Sequence, residues 1–221
     1  MKTPKLDILF EDQRIIVVNK PAGMIVEENP FEKVNVQALV QEHLNKNTKR
    51  TKPPYLGVIH RLDRVTSGVI LFAKKKSLLK EINEDFREQK VYKKYWALLS
   101  KPFENDKGEI KAYIRKDQKS KSSIVTDHKT RASKACGLKY NLLKNDRKMF
   151  MYEIEPGEGK FHQIRVLLSH AGSPILGDIK YGDKGFLKNK VALHAAEIEI
   201  KHRKLKYAAP LPLDEYWDNF R

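Results

Sequence analysis

The chain has 221 residues with a single cysteine, and its 44 lysines and arginines against 28 acids give a net charge of +16. One cysteine excludes an internal disulfide and a cysteine-cluster metal site, so Cys136 reads as a small buried hydrophobe. The basic excess implies a polyanionic partner, with nucleic acid ahead of an anionic membrane: no amphipathic helix joins a basic face to an apolar anchor, and no stretch approaches the ~20 apolar residues that span a bilayer.

The first residues lack the apolar run of a signal peptide, so a cytoplasmic protein is expected. Residues 14–20 (RIIVVNK) read as a short buried strand ended by Pro21 and Gly23. Residues 37–44 fit a short helix, and residues 46–54 a basic, proline-ended loop. Residues 68–74 (GVILFAK) form a second apolar strand. From Ser77 the spacing changes: Leu78, Leu79, Ile82 and Phe86 repeat at helical period behind a Ser77 N-cap. Strand character returns at 91–99, 138–143, 150–155 and 191–200. Residues 161–171 are helical, ending at Gly172 with Pro174 just beyond. On that helix Ile164, Leu167, Leu168 and Ala171 share a face to bury, and His162, Arg165 and Ser169 the opposite one. Many strands with few interspersed helices predict an α+β fold on a mixed, largely antiparallel central sheet with flanking helices. No repeat or linker divides the chain, so one domain over 1–221 is expected.

Three segments carry chemistry. His60-Arg61-Leu62-Asp63-Arg64-Val65-Thr66-Ser67-Gly68 places a carboxylate between two arginines on a turn before a buried strand, where sites usually form. Nearby cations favour the ionised Asp63, available as nucleophile or base; the plain alternative is a surface turn with local ion pairs. In the second segment, 157–166, Arg165 lies in the first turn of a helix behind a Gly-flanked loop. That suits a phosphate contact or an ion pair with a catalytic carboxylate. A cation at a helix N-terminus is disfavoured by the macrodipole and needs a partner. The third, Lys93-Lys94-Tyr95-Trp96, sets cations beside aromatics, as a nucleic-acid platform does, but Tyr95 and Trp96 point to opposite faces of the strand. At most one of the two easily faces a ligand, and the other packs in the core.

The basic stretches 45–52 and 115–134 could hold an RNA backbone or could be solvated loops. His194, alternating with apolar residues, reads as structural. There is no His-Glu-x-x-His, no acidic cluster at metal spacing, no P-loop and no dinucleotide fingerprint, so neither metal nor cofactor is expected.

The run from His60 to Gly68, followed by Ala73-Lys74, resembles the signature of RluA-type pseudouridine synthases. Further matches follow in the family's order: Asn19-Lys20-Pro21-Ala22-Gly23, Lys93-x-Tyr95-x-Ala97, and His162-Gln163-Ile164-Arg165-Val166 with Gly177-Asp178. Leu193-His194-Ala195 and Ala209-Pro210-Leu211-Pro212 also fit. The resemblance implies two subdomains around a catalytic cleft, and a metal-free, cofactor-free isomerisation of uridine in rRNA or tRNA. It makes Asp63 the catalytic aspartate and Arg61 the residue that enters the RNA stack. Tyr95 would lie against the uracil, and Arg165 would pair with Asp63. His60, Arg64, Thr66, His162 and Gln163 complete the expected RNA-binding set, and a monomer without membrane or metal partners is expected.

The chain departs from the family pattern at Glu158-Gly159-Lys160-Phe161, where Thr-Gly-Arg-Thr is usual, at Leu167, where a histidine is usual, and at Trp96. The match begins almost at the first residue, so the S4 domain of several relatives is not expected in this chain. Its own basic surface would then supply all the RNA affinity. Two rival readings stay open: a non-catalytic RNA-binding or ribosome-assembly protein on the same fold, and a hydrolytic N-glycosylase. Whether Asp63 attacks C1′ or abstracts a sugar proton also stays open.

Overall fold

The computed structural model describes residues 5–46, 53–183, 187 and 190–221. Its strands are β1 (Ile8–Glu11), β2 (Ile15–Lys20), β3 (Gly57–Val58), β4 (Ser67–Ala73), β5 (Tyr92–Leu99), β6 (Lys107–Asp117), β7 (Ser122–Thr126), β8 (Lys134–Asn145), β9 (Phe150–Pro156), β10 (Leu193–Ile200) and β11 (Leu205–Ala208). The α-helices are α1 (Val36–Lys46), α2 (Lys76–Arg87) and α3 (Gln163–His170). The fold is α+β, as expected. It divides into two compact units, Met1–Tyr92 with Ala195–Pro210, and Lys93–His194 with Leu211–Arg221.

In the first unit β2 pairs antiparallel with both β1 and β4, β3 pairs with β4, and β10 with β11. The apolar run of β2 is buried along its length, which is why it reads as continuous rather than alternating. Ile16, Val18, Ile70 and Phe72 form a core with Val36, Val40 and Leu44 of α1, one stripe at helical spacing. The Asn35 side-chain oxygen accepts from Ala38 N–H at 2.8 Å and caps α1. Of the basic loop expected at 46–54, residues 47–52 lie outside the described residues.

Helix α2 corrects one expectation. It starts at Lys76 behind Lys75, with no side-chain cap, so Ser77 lies inside the first turn. The buried side of α2 includes Asp85, which binds Arg203 beside Leu78 and Ile82.

In the second unit the strand order is β5-β9-β8-β6-β7, antiparallel at each step. The basic stretch 115–134 is thus not a loop. It is the end of β6, the β7 hairpin partner and the approach to β8. Charged residues at 107, 109 and 111 alternate with the less exposed Ile110 and Ala112, a period-two signal that the high charge obscured.

Helix α3 also differs from its expectation. It begins at Gln163, because His162 stands in the left-handed region at φ 52°. Every residue from Gln163 to Leu168 is buried, while Ala171, expected inside, is exposed. Ile164, Leu167 and Leu168 are thus buried as expected, but Arg165 of the opposite face is buried too, and the helix opens to solvent only at its last turn. Its end at Gly172, φ +85°, is as expected. Among the described residues no helix is long and apolar enough to cross a membrane.

Candidate active site

The Asp63 turn is built from the main chain outward. Thr66 N–H donates to the Asp63 carbonyl at 3.1 Å, closing a turn over 63–66. Gly23 N–H donates to the Arg64 carbonyl at 2.8 Å. The same carbonyl accepts from the Lys20 ammonium at 3.0 Å. Lys20 is fully buried and also donates to the carbonyls of Pro21 at 2.9 Å and Met24 at 2.7 Å. Three acceptors match the three N–H groups of an ammonium. Burial pushes the Lys20 amine down to about 7, the Asp63 charge draws it up, and Arg64 pushes it down. Gly68 has φ +115°, and a Cβ there would come within 2.2 Å of the Ala195 carbonyl, so only glycine fits where the turn enters β4.

The flanking groups divide into exposed and structural. Arg61 is largely exposed and pairs with Glu27 at 3.2 Å. Arg64 pairs through both Nη atoms with Glu32. Exposed pairs of this kind are weak and readily exchanged for a phosphate. His60 Nε2 accepts from Leu71 N–H of β4 at 3.2 Å, and Thr66 is buried.

In the second unit Arg165 is 5% exposed and binds Asp178, 1% exposed, in a two-pronged pair with Nε and Nη2 at 2.7 and 2.8 Å. Its guanidinium also lies 5.1 Å from the centre of the Tyr181 ring. The expectation that a cation at this helix start needs a partner is met by Asp178. The sequence reading had noted Gly177-Asp178 without giving it a role. The 157–163 loop is held from inside. Gln163 Nε2 donates to the Gly137 carbonyl at 2.8 Å and its Oε1 accepts from Lys160 N–H at 2.9 Å. His162 Nδ1 lies 2.9 Å from the Tyr181 hydroxyl. Gln163 is thus a clamp on this loop.

Tyr95 is half-buried on β5, opposite Ile154 of β9. Its neighbour Trp96 stacks on His194 at 5.7 Å and 19°, and His194 is fully buried. The two lysines before them have partners within the unit. Lys93 donates to the Glu158 carbonyl at 2.8 Å, and burial pushes its amine down to about 8, against the upward pull of Glu158. Lys94 pairs with Glu153 at 3.2 Å. Cys136 is buried, and burial pushes its thiol up to about 11, which keeps it unreactive.

Lys20 and Asp178 escaped sequence reasoning as working groups. A charged residue inside an apolar strand run was the signal for the first, and an acid able to neutralise Arg165 was the signal for the second.

Residues 14–170 match the family described as RNA pseudouridylate synthase. The ribosomal large subunit pseudouridine synthase C of Buchnera aphidicola subsp. Baizongia pistaciae is 36% identical over 94% of this chain and 67% of its own length. That of Pasteurella multocida is 33% identical over 92% of this chain and 64% of its own. The tRNA pseudouridine synthase C of Haemophilus ducreyi is 31% identical, with 96% and 93% covered. The chain therefore spans about two thirds of the first two relatives and nearly all of the third. The solved structure of human RNA Pseudouridylate Synthase Domain Containing 4 superposes with a TM-score of 0.79 over 94% of this chain and 89% of its own, at 24% identity, a likeness of fold.

Proposed function

We propose, since the chain belongs to the RNA pseudouridylate synthase family, that it isomerises specific uridines of rRNA or tRNA to pseudouridine with Asp63 as the catalytic carboxylate. The observation that carries this reading is the Asp63 turn. It is anchored through its main chain by Lys20 and Gly23, with exposed arginines on either side.

The reaction breaks the N1–C1′ bond of the target, turns the base and rejoins it through C5. N1 gains a proton, C5 loses one, and the composition is unchanged. A stacked base is out of reach, so the nucleotide is first extruded at an energetic cost. Arg61, whose pair with Glu27 is weak, fills the vacated place by stacking. Asp63 then attacks C1′ or removes a sugar proton. Tyr95 lies against the detached uracil and keeps it from escaping. Arg165, already oriented by Asp178, is the cation that the family resemblance assigns to the reaction. Arg64 and the surrounding cations hold phosphates, and His60, Thr66, His162 and Gln163 keep the two segments in shape. We place the enzyme in the cytoplasm as a monomer acting without metal or cofactor.

The test is tritium release from rRNA and tRNA labelled at C5 of uridine. The wild type releases tritium with the base retained in the chain. Asp63→Asn releases none and still binds the RNA. Near-normal release by Asp63→Asn, or abasic sites in the wild-type product, overturns the reading.

A further inference from the structure

An exposed aromatic ring stands in a basic field at the start of α3. Phe161 is 40% exposed. One face of its ring stacks on His162, centroids 3.8 Å apart at 22°. The Lys116 ammonium reaches to 5.0 Å from its centre. Lys116 belongs to the end of β6, where Arg115, Lys116, Lys119 and Lys121 are all exposed around the turn into β7. Lys94 and Lys111 of the same unit are paired with acids on neighbouring strands or their own. The acid in this turn, Asp117, accepts from the Ser120 hydroxyl at 2.5 Å.

The surface is also held in shape. The Ser123 hydroxyl donates to the Phe161 carbonyl, and Ser123 N–H donates to the Tyr181 hydroxyl at 2.7 Å. Lys180 donates to the Ser120 carbonyl at 2.9 Å, tying the hairpin turn to the segment after α3. His162 keeps a left-handed backbone at φ 52°, an uncommon conformation for a non-glycine residue, and with it lays its ring beneath Phe161. A single pre-set ring among exposed cations is too small an apolar area for a protein interface and lacks the set of anchors that a membrane surface requires. It has the two components of a single-strand nucleic-acid contact, a π-face for a base and cations for its phosphates.

We propose that Phe161 is a stacking platform for an unpaired base of the RNA outside the modified nucleotide, with Arg115, Lys116, Lys119 and Lys121 following the adjoining phosphates. The proposal rests on the RNA-modifying reading above and adds a second contact, at one of the places where this chain departs from the family pattern. Stacking is indifferent to base identity, so the platform selects for an unstacked nucleotide at that distance from the target and not for a sequence. When a base arrives, the exposed Lys116 side chain leaves the ring for a phosphate.

The probe is a labelled single-stranded oligouridylate, measured by equilibrium binding over a salt series, with an RNA duplex of equal charge beside it. Phe161→Ala weakens the oligouridylate about tenfold and leaves the duplex unchanged, and Phe161→Trp binds as the wild type or tighter. Lys116→Ala lowers the salt slope by about one. Wild-type affinity in Phe161→Ala, equal loss for single strand and duplex, or failure of Phe161→Trp to restore binding overturns the platform. Because the readout is binding, it is separable from the reading it rests on, which stands or falls with tritium release by the wild type.

Discussion

In the first unit the Asp63 turn is fixed through main-chain atoms: Thr66, Gly23 and a buried lysine hold the carbonyls of residues 63 and 64. In the second, Arg165 is fixed through its side chain, by a buried carboxylate that grips Nε and one Nη of the guanidinium. The difference follows from the groups being held. A residue on a loop is positioned by fixing the loop, and these anchors act on its main chain. A guanidinium on an enclosed helix has no water to neutralise it and needs its own anion. The two-pronged pair supplies that anion at Nε and Nη2.

The largest effect that would break this contrast is expected at Asp178. Asp178→Ala leaves the Arg165 cation buried without its partner and costs ~3–5 kcal/mol of stability, read as a fall in Tm. Arg165→Met added to it recovers part of that loss. A melting curve like that of the wild type in the single variant would show that Arg165 does not depend on Asp178. Next is Lys20→Met, which leaves buried carbonyls without a donor and costs ~1–3 kcal/mol near neutral pH, with denaturant unfolding as the measure. It also lowers single-turnover tritium release by shifting the Asp63 turn, and Lys20→Arg does not fully restore it, because a planar guanidinium cannot meet three convergent carbonyls.

The third effect is a slope in pH, gradual rather than abrupt. Folding lowers the Lys20 pKa from 10.5 to about 7. Between those values the unfolded chain holds a proton that the folded chain has released, so stability rises with pH across this window, by up to ~1.4 kcal/mol per pH unit per proton. Below about 7 both states are protonated, and the cost of burying the charge is present in full. Lys93, lowered to about 8, adds in the same direction. Lys20→Met flattens the Lys20 part. The same slope in that variant would mean that the three carbonyls keep the amine an ammonium throughout, which would strengthen the main-chain anchor rather than weaken it.

Much of this was legible beforehand because local pattern and burial agree. Residues 15–18 of β2 and 69–73 of β4 are unbroken apolar runs, α1 repeats its stripe, and α3 ends before a glycine with positive φ. The Asp63 and Arg165 segments stand out because charges and glycines interrupt apolar stretches. The β6–β7 hairpin was missed because its solvent face is charged enough to resemble a loop. The polar face of α3 was misread because a buried helix carries polar residues inward when partners exist for them.

Sequence alone determined the class of the fold, the residues eligible for chemistry and the need of Arg165 for an anion, since these depend on residue types at short range. Tertiary structure decided which anion is paired with Arg165 within its own unit, that Lys20 lies buried beneath the Asp63 turn, and that Phe161 stands exposed beside Lys116. Those are contacts between segments far apart in the chain, and spacing along a sequence carries no term for them. They are chosen by which groups burial leaves needing a hydrogen bond or an opposite charge.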